Sequence, residues 1–144
     1  IVISGSVDGV EAAMELAKEK GAKRVVPLVV GGAFHSALMQ PATDGLKVGW
    51  EQADFKNADV PVYTNVTAKP ETQAGELKSL LLSQLTSPVR WTEIIQNMIA
   101  GGATEFYEVG PGSVLTGLVR RISREVSCTN VNSMESVANI LEAD

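Results

Sequence analysis

Residues 91–122 follow a pattern that restricts the possible folds more than any other part of the sequence. Apolar residues recur at helical spacing over residues 91–99, and a glycine pair ends that helix. Residues 106–109 predict a strand, and residues 110–112 predict a tight turn before a second helix with Ser113 as its N-cap. This order of elements favours an α/β fold with a largely parallel sheet.

The remaining segments predict further helices and strands. Asp8 and Glu11 have the spacing of a capping box, so they predict the start of an amphipathic helix that ends at Gly21. A helix over residues 76–85 is expected to turn Leu77, Leu80 and Leu81 inward. The other predicted elements are strands over residues 1–3, 25–30, 60–66 and 128–131, and a helix over residues 134–141 capped by Ser133.

Composition and charge argue against several classes of protein. The 144 residues fit one domain or a piece of a larger one, and 44% of them are hydrophobic, as in an ordinary globular chain. The 12 basic and 17 acidic residues include no basic block interleaved with aromatic residues, so nucleic acid is not expected as a partner. Cys128 is the single cysteine, which excludes an internal disulfide and a multi-thiolate metal site and favours a reducing, cytoplasmic location.

Neither a membrane segment nor a leader peptide is expected. The longest apolar run, residues 25–34, contains Pro27 and two glycines and is far shorter than the ~20 residues that span a bilayer. The sequence opens at Ile1 with no Met and no charged leader, so we expect no signal peptide and a start in mid-protein.

His35 is the one histidine and the first candidate for chemistry. Imidazole exchanges protons near neutral pH, and loops that follow strands often hold catalytic groups. On the residues alone, a structural histidine is still the favoured interpretation. Ser36 is not expected to be a nucleophile for His35, because nucleophile and base normally converge from separate segments. No Gly-x-Ser-x-Gly elbow occurs in the sequence.

Two other features allow a binding role, although a structural role is favoured for each. The glycine turn at residues 110–112 could cradle an anion at the start of the following helix, but it matches no phosphate-binding motif. Arg120, Arg121 and Arg124 could receive a negatively charged partner, but such a cluster is more often a solvated helix face.

Four ordered motifs resemble one enzyme family. They are GAFHSALM at 32–39, NVTA at 65–68, QLTSPVRW at 84–91 and EVGPGSVLTGL at 108–118. Together they resemble the C-terminal half of bacterial malonyl-CoA:acyl-carrier-protein transacylases, and residues 2–5 and 21–24 extend the likeness to almost the whole chain. The family's N-terminal half, with its serine elbow, has no counterpart here. The chain therefore resembles a fragment of such an enzyme and is expected to be inactive alone.

The resemblance implies specific roles in a ping-pong transfer through a seryl ester. His35 matches the family's catalytic histidine, and Gln84 matches the residue whose main-chain carbonyl accepts a hydrogen bond from that histidine. Phe34 matches the position associated with accepting malonyl rather than a branched extender. On spacing alone, Gln84 is an ordinary polar residue near a helix end. The resemblance implies neither a cofactor nor a metal.

The resemblance also implies a fold, partners and a pathway. The fold is the C-terminal part of an α/β-hydrolase-like core over residues 31–144, with a remnant of a small ferredoxin-like subdomain over residues 1–30. The expected function is transfer of malonyl from CoA to acyl carrier protein in fatty-acid synthesis, with malonyl-CoA, acyl carrier protein and the missing N-terminal half as partners. Two alternatives stay open: an acyltransferase domain of a polyketide synthase, and a non-catalytic carrier-protein docking module that uses the three arginines.

Overall fold

The computed structural model describes residues 1–142 as two compact units, residues Ile1–Arg90 and a second unit that starts at Trp91. The first unit contains α1 (Val7–Glu19), α2 (Gln40–Glu51), β1 (Val62–Tyr63), β2 (Pro70–Glu71) and α3 (Ala74–Gln84). The second contains α4 (Trp91–Ala100), β3 (Glu105–Val109), α5 (Val114–Ile122), β4 (Ser127–Val131) and α6 (Met134–Leu141).

The second unit is built on a parallel strand pair. Strands β3 and β4 pair in parallel with Phe106 opposite Cys128, and α5 is the crossover between them. Ile95, Val119 and Cys128 are buried in the centre of this unit, and larger apolar side chains of α4 and β3 pack around them. The predicted α/β class is confirmed, and the helical stripe of residues 91–99 is observed as α4.

Helix α1 ends at the predicted glycine but begins at an unpredicted cap. Gly21 has a φ of +86°, and the N–H of Ala22 donates to Ala17 O while that of Gly21 donates to Lys18 O. This pattern is a Schellman motif, which favours glycine because of the left-handed backbone. At the other end, Ser6 rather than Asp8 is the N-cap, since its hydroxyl accepts from Gly9 N at 3.2 Å.

Several strand predictions in the first unit are wrong. Residues 1–3 and 25–30 form no strand, and the strand expected over residues 60–66 shrinks to β1, which pairs with β2 in antiparallel fashion. A strand needs a hydrogen-bonded neighbour, and none of the described residues pairs with these segments. Their side chains are largely exposed, and Val29 is fully so.

Two smaller differences concern helices α2 and α3. Helix α2 starts directly after a 3₁₀ turn, Ala37–Met39, so Pro41 lies in the first turn of the helix, where its missing N–H costs no hydrogen bond. In α3, Leu77 is buried as predicted, whereas Leu81 is exposed. Among residues 1–142, no helix has the length and apolar character that crossing a bilayer requires.

Candidate active site

His35 lies in a tight turn just before the 3₁₀ turn, with its backbone in the left-handed region at φ 63°. Histidine is one of the few non-glycine residues enriched there, and such a conformation costs of order 1–3 kcal/mol. The surrounding structure must over-determine a backbone held in this way, and such residues cluster at functional sites. The residue is exposed in this chain, and its ring is still within reach of hydrogen-bonding partners.

The turn brings His35 against the C-terminal end of α3. His35 Nδ1 lies 3.0 Å from the main-chain oxygen of Gln84, 49 residues further along the chain. This carbonyl is available because the last carbonyls of a helix have no partner within it, and Ser87 N also donates to it at 3.3 Å. With Nδ1 directed at Gln84, Nε2 is the ring atom left to exchange a proton with a substrate.

The Gln84 side chain is part of the same arrangement. Its Nε2 donates to Ser87 O at 3.0 Å and lies 3.2 Å from His35 Nδ1. Its Oε1 is buried, and no described residue donates to it. The side chain therefore links the histidine to the loop that follows α3.

The neighbours of His35 have distinct environments. Ser36 donates to Ala33 O at 2.6 Å and accepts from Leu38 N at 3.3 Å, so its hydroxyl caps the 3₁₀ turn. Phe34 is 50% exposed, and its ring lies so close to Gly32 that a Cβ added there would stand 3.6 Å from it.

A second loop of the same unit is tied to the end of the QLTSPVRW motif. The Arg90 guanidinium donates to Val66 O at 3.0 Å, and the turn that contains Val66 is closed by Ala68 N donating to Thr64 O. The NVTA motif and the loop after α3 are therefore joined by a charge-assisted hydrogen bond.

The glycine turn after β3 is closed by a carboxylate of the chain itself. Gly110 and Gly112 have φ values of 127° and 93°, which favour glycine, and the turn lets Glu108 reach the start of α5. Glu108 accepts from Leu115 N at 3.0 Å, from Thr116 N at 2.8 Å and from Thr116 Oγ1 at 2.6 Å. The side chain of Ser113, the predicted N-cap, accepts no such bond.

Glu108 therefore takes the place that an external anion would need, which supports the structural interpretation of the turn. Sequence reasoning missed this residue. Two features of the sequence could have indicated this cap. An acidic residue lies near the end of the strand before the glycine turn, and the helix after the turn has no acidic residue in its own first turn. An anion at a helix N-terminus is stabilised by the free N–H groups and the helix dipole.

Replacing Glu108 by glutamine is expected to lower the melting temperature by several degrees at pH 7. The hydrogen bonds from Thr116 lower the pKa of Glu108, so its charged form is bound more tightly in the folded chain. That stabilisation is present above the unfolded-state pKa and is lost as the pH falls through the folded-state pKa. Thermal melts at pH 7 and at pH 3 should therefore show a difference that shrinks in acid.

Glu105→Gln is the matched control, because Glu105 lies on the same strand and its carboxylate accepts from Tyr107 Oη but caps no helix. This control should leave the melting temperature nearly unchanged at both pH values. Equal losses for Glu105→Gln and Glu108→Gln would contradict the capping role.

The arginine cluster is partly used within the chain. Arg120 and Arg121 occupy the last turn of α5, where cations suit the helix dipole, and Arg120 Nη2 lies 3.4 Å from Cys128 O. Arg124 follows the helix and is exposed. This arrangement is that of a solvated helix end.

Similar proteins of known name match almost the whole chain. The malonyl CoA-acyl carrier protein transacylase of Bacillus subtilis is 50% identical over 137 residues, which are 95% of this chain and 43% of that protein. The transacylase of the same name from Escherichia coli K12 is 42% identical over 142 residues, 99% of this chain and 46% of that protein. No family model matches the chain.

Solved structures give the same result. The acyl-carrier-protein-S-malonyltransferase of Bartonella henselae superposes with a TM-score of 0.92 at 40% identity, over 96% of this chain and 44% of that one. A malonyl-transacylase solved in complex with a type II PKS acyl-carrier protein gives a TM-score of 0.91 at 41% identity, over 97% of this chain and 45% of that one. These matches confirm the resemblance predicted from the motifs, and the chain spans a little under half the length of these proteins.

Proposed function

Since the chain matches the C-terminal part of malonyl CoA-acyl carrier protein transacylases in sequence and fold, we propose that it supplies the general base of such an enzyme. The reaction is transfer of malonyl from malonyl-CoA to acyl carrier protein in fatty-acid synthesis. The observation that carries the proposal is the contact between His35 Nδ1 and Gln84 O, which orients an exposed imidazole held in a left-handed turn.

Each half-reaction moves one proton through His35 Nε2. In the first, Nε2 takes the proton of a serine hydroxyl while the oxygen attacks the malonyl thioester, and it returns that proton to the departing CoA thiolate. In the second, Nε2 takes the proton of the carrier protein's thiol, which attacks the seryl ester, and returns it to the serine oxygen. The serine belongs to the part of the enzyme outside this chain.

The carbonyl of Gln84 is suited to this role because it only accepts hydrogen bonds. It stabilises the neutral ring that carries its proton on Nδ1, and in that form Nε2 has a lone pair for the serine proton. It does so without placing a second charge beside the ring, unlike the carboxylate of a Ser-His-Asp triad. We propose His35 and Gln84 as the catalytic pair of this chain, in which Gln84 acts only by positioning His35, and Phe34 as a substrate-binding residue.

The exposed apolar segments support the missing N-terminal half as a partner. Ile1, Leu28 and Val29 are highly exposed, and among the described residues β3 pairs only with β4. Parallel sheets are normally covered on both faces, so apolar surface of this kind is expected to pack against further chain. The resemblance also leads us to propose an α/β-hydrolase-like core over residues 31–144, to which the parallel β3–α5–β4 unit belongs, with residues 1–30 as a remnant of a ferredoxin-like subdomain.

The two alternatives, an acyltransferase domain of a polyketide synthase and a non-catalytic docking module, are less well supported. The relatives compared above are named malonyl transacylases or malonyltransferases rather than polyketide synthases, and a non-catalytic docking module leaves the contact between His35 and Gln84 without a purpose. The arginines of such a module occupy a helix end whose dipole already explains them.

The isolated 144-residue chain is expected to transfer no malonyl group, because it offers a base but no nucleophile for that base to serve. Mixing it with a separate polypeptide that carries the remaining part of the enzyme should restore transfer. The measurement is the intact mass of acyl carrier protein after incubation with malonyl-CoA.

The same mixture made with His35→Asn should stay inactive, since asparagine tolerates the left-handed backbone but cannot act as a general base. Malonyl transfer by the isolated chain, abolished by Ser36→Ala, would contradict both the missing nucleophile and the role given to Ser36.

A further inference from the structure

His35 Nδ1 faces two groups of Gln84 that have opposite hydrogen-bonding character. The main-chain oxygen, at 3.0 Å, can only accept a hydrogen bond, whereas the side-chain amide nitrogen, at 3.2 Å, can only donate one. In the neutral ring, Nδ1 carries either a proton or a lone pair. The two hydrogen bonds are therefore mutually exclusive, and each belongs to one tautomer.

Ser87 fixes the orientation of the Gln84 carboxamide. The amide group has two hydrogens, and Nε2 donates one of them to Ser87 O at 3.0 Å. Turning the amide over would place Oε1 beside Ser87 O, where two acceptors would repel each other. The present orientation persists although it leaves Oε1 buried with no partner among the described residues. The second hydrogen of Nε2 is then the one available to His35.

We propose that Gln84 is a positioning residue that selects the tautomer of His35 through both of its polar groups. Its carbonyl stabilises the form protonated on Nδ1, whose Nε2 can accept a proton. Its side-chain amide stabilises the form protonated on Nε2, which can donate one. When the tautomer changes, Nδ1 changes its partner from the main-chain oxygen of Gln84 to the side-chain amide of the same residue. The carbonyl therefore favours the tautomer that can act as a base, and the amide disfavours it.

The tautomer ratio is a property of this chain, so the test needs no transacylase activity. The sequence contains one histidine, so the ring nitrogens of His35 are assigned directly in a long-range ¹H–¹⁵N spectrum of the labelled chain. Recorded at a pH where the ring is neutral, the wild-type chain should show nitrogen shifts intermediate between the two pure tautomers.

Gln84→Met is the informative variant, because methionine keeps the length of the side chain and removes the donor. It should raise the ratio of the Nδ1-protonated to the Nε2-protonated form by roughly three- to tenfold, the effect expected from one net hydrogen bond. Gln96→Met makes the same chemical change at an exposed position of α4 and should leave the ratio unchanged. A ratio in Gln84→Met within twofold of wild type would overturn the proposal.

A measurement on the wild-type chain keeps the test valid if Gln84→Met does not fold. A scalar coupling between Gln84 Nε2 and His35 Nδ1 across the hydrogen bond is expected, because the amide donates to the lone pair in one tautomer. A wild-type ring found wholly in the Nδ1-protonated form, with no such coupling, would show that only the carbonyl acts on His35. Failure of the proposed acyl transfer would leave either result unchanged.

Discussion

His35→Ala in the enzyme proposed for this chain is expected to slow acylation by about 10²–10⁴-fold, the usual cost of removing a general acid–base group. No other side chain of this chain is an imidazole, and the serine hydroxyl loses little of its proton at neutral pH without a base. The measurement is the rate at which malonyl-CoA forms the seryl ester, followed by rapid quenching and intact mass.

The backbone at His35 requires a matched control for this variant. Alanine is disfavoured at φ 63°, so His35→Ala adds strain to the loss of the imidazole. His35→Asn tolerates that backbone and keeps a donor for Gln84 O, so it separates strain from chemistry. Both variants should be slow to a similar extent, while His35→Asn keeps the melting temperature closer to wild type.

Gln84→Ala tests the other partner of the contact between His35 and Gln84, and its rate is compared with that of His35→Ala. The main-chain carbonyl survives this truncation, and the amide that it removes opposes the base-competent tautomer, so we expect any loss of rate to be far smaller than for His35→Ala. Wild-type rates for His35→Ala across the pH range would reduce His35 to a structural role. A loss for Gln84→Ala as large as that for His35→Ala would show that the side chain, and not the carbonyl, is the main partner of the ring.

The elements that the sequence predicted well are those whose determinants are local. Helix α4 follows from apolar residues three and four positions apart, and the end of α1 follows from a glycine at the position that needs a left-handed backbone. Helix α6 is capped by Ser133, whose hydroxyl accepts from Ser136 N at 3.2 Å as the capping prediction requires. Each of these signals lies within a few residues of the element that it specifies.

The elements predicted poorly depend on partners that are distant in the chain. A β-branched run such as residues 25–30 becomes a strand only when a neighbour satisfies its backbone groups, and the described residues provide none. The carboxylate of Glu108 reaches Thr116 eight residues away only because the glycine turn reverses the chain between them. Neither a missing neighbour nor a contact made across a turn can be read from periodicity.

The candidate site depends even more strongly on residues that are distant in the chain. No spacing rule relates His35 to Gln84, because 49 residues separate them and the contact uses a main-chain oxygen that every residue possesses. The left-handed backbone of His35 gives no sequence signal either, since histidine occurs far more often in other conformations. Only the resemblance of the motifs to a known family implied the pair, and the competing contact of the Gln84 amide became visible only in the structure.

Phe34→Ser in the same enzyme is expected to raise the use of methylmalonyl-CoA relative to malonyl-CoA by about 10- to 200-fold in kcat/KM, the range that one methyl-sized steric difference supports. The residue directly precedes His35, and its ring lies against Gly32 with half of its surface exposed, so it can border the acyl group that His35 serves. An α-methyl branch would collide with that ring, whereas serine leaves room for it. The measurement is a competition between the two CoA esters, with the products resolved by mass.

Phe34→Leu is the conservative control, because it keeps an apolar side chain of intermediate size and should shift the selectivity only slightly. If Phe34 only packs, serine leaves a cavity, and both activities fall together with the melting temperature. An exposed fraction of 50% argues against that outcome within this chain, since a side chain so open contributes little packing to lose. An unchanged selectivity ratio in Phe34→Ser together with a lower melting temperature would nevertheless establish Phe34 as a packing residue and remove it from the substrate site.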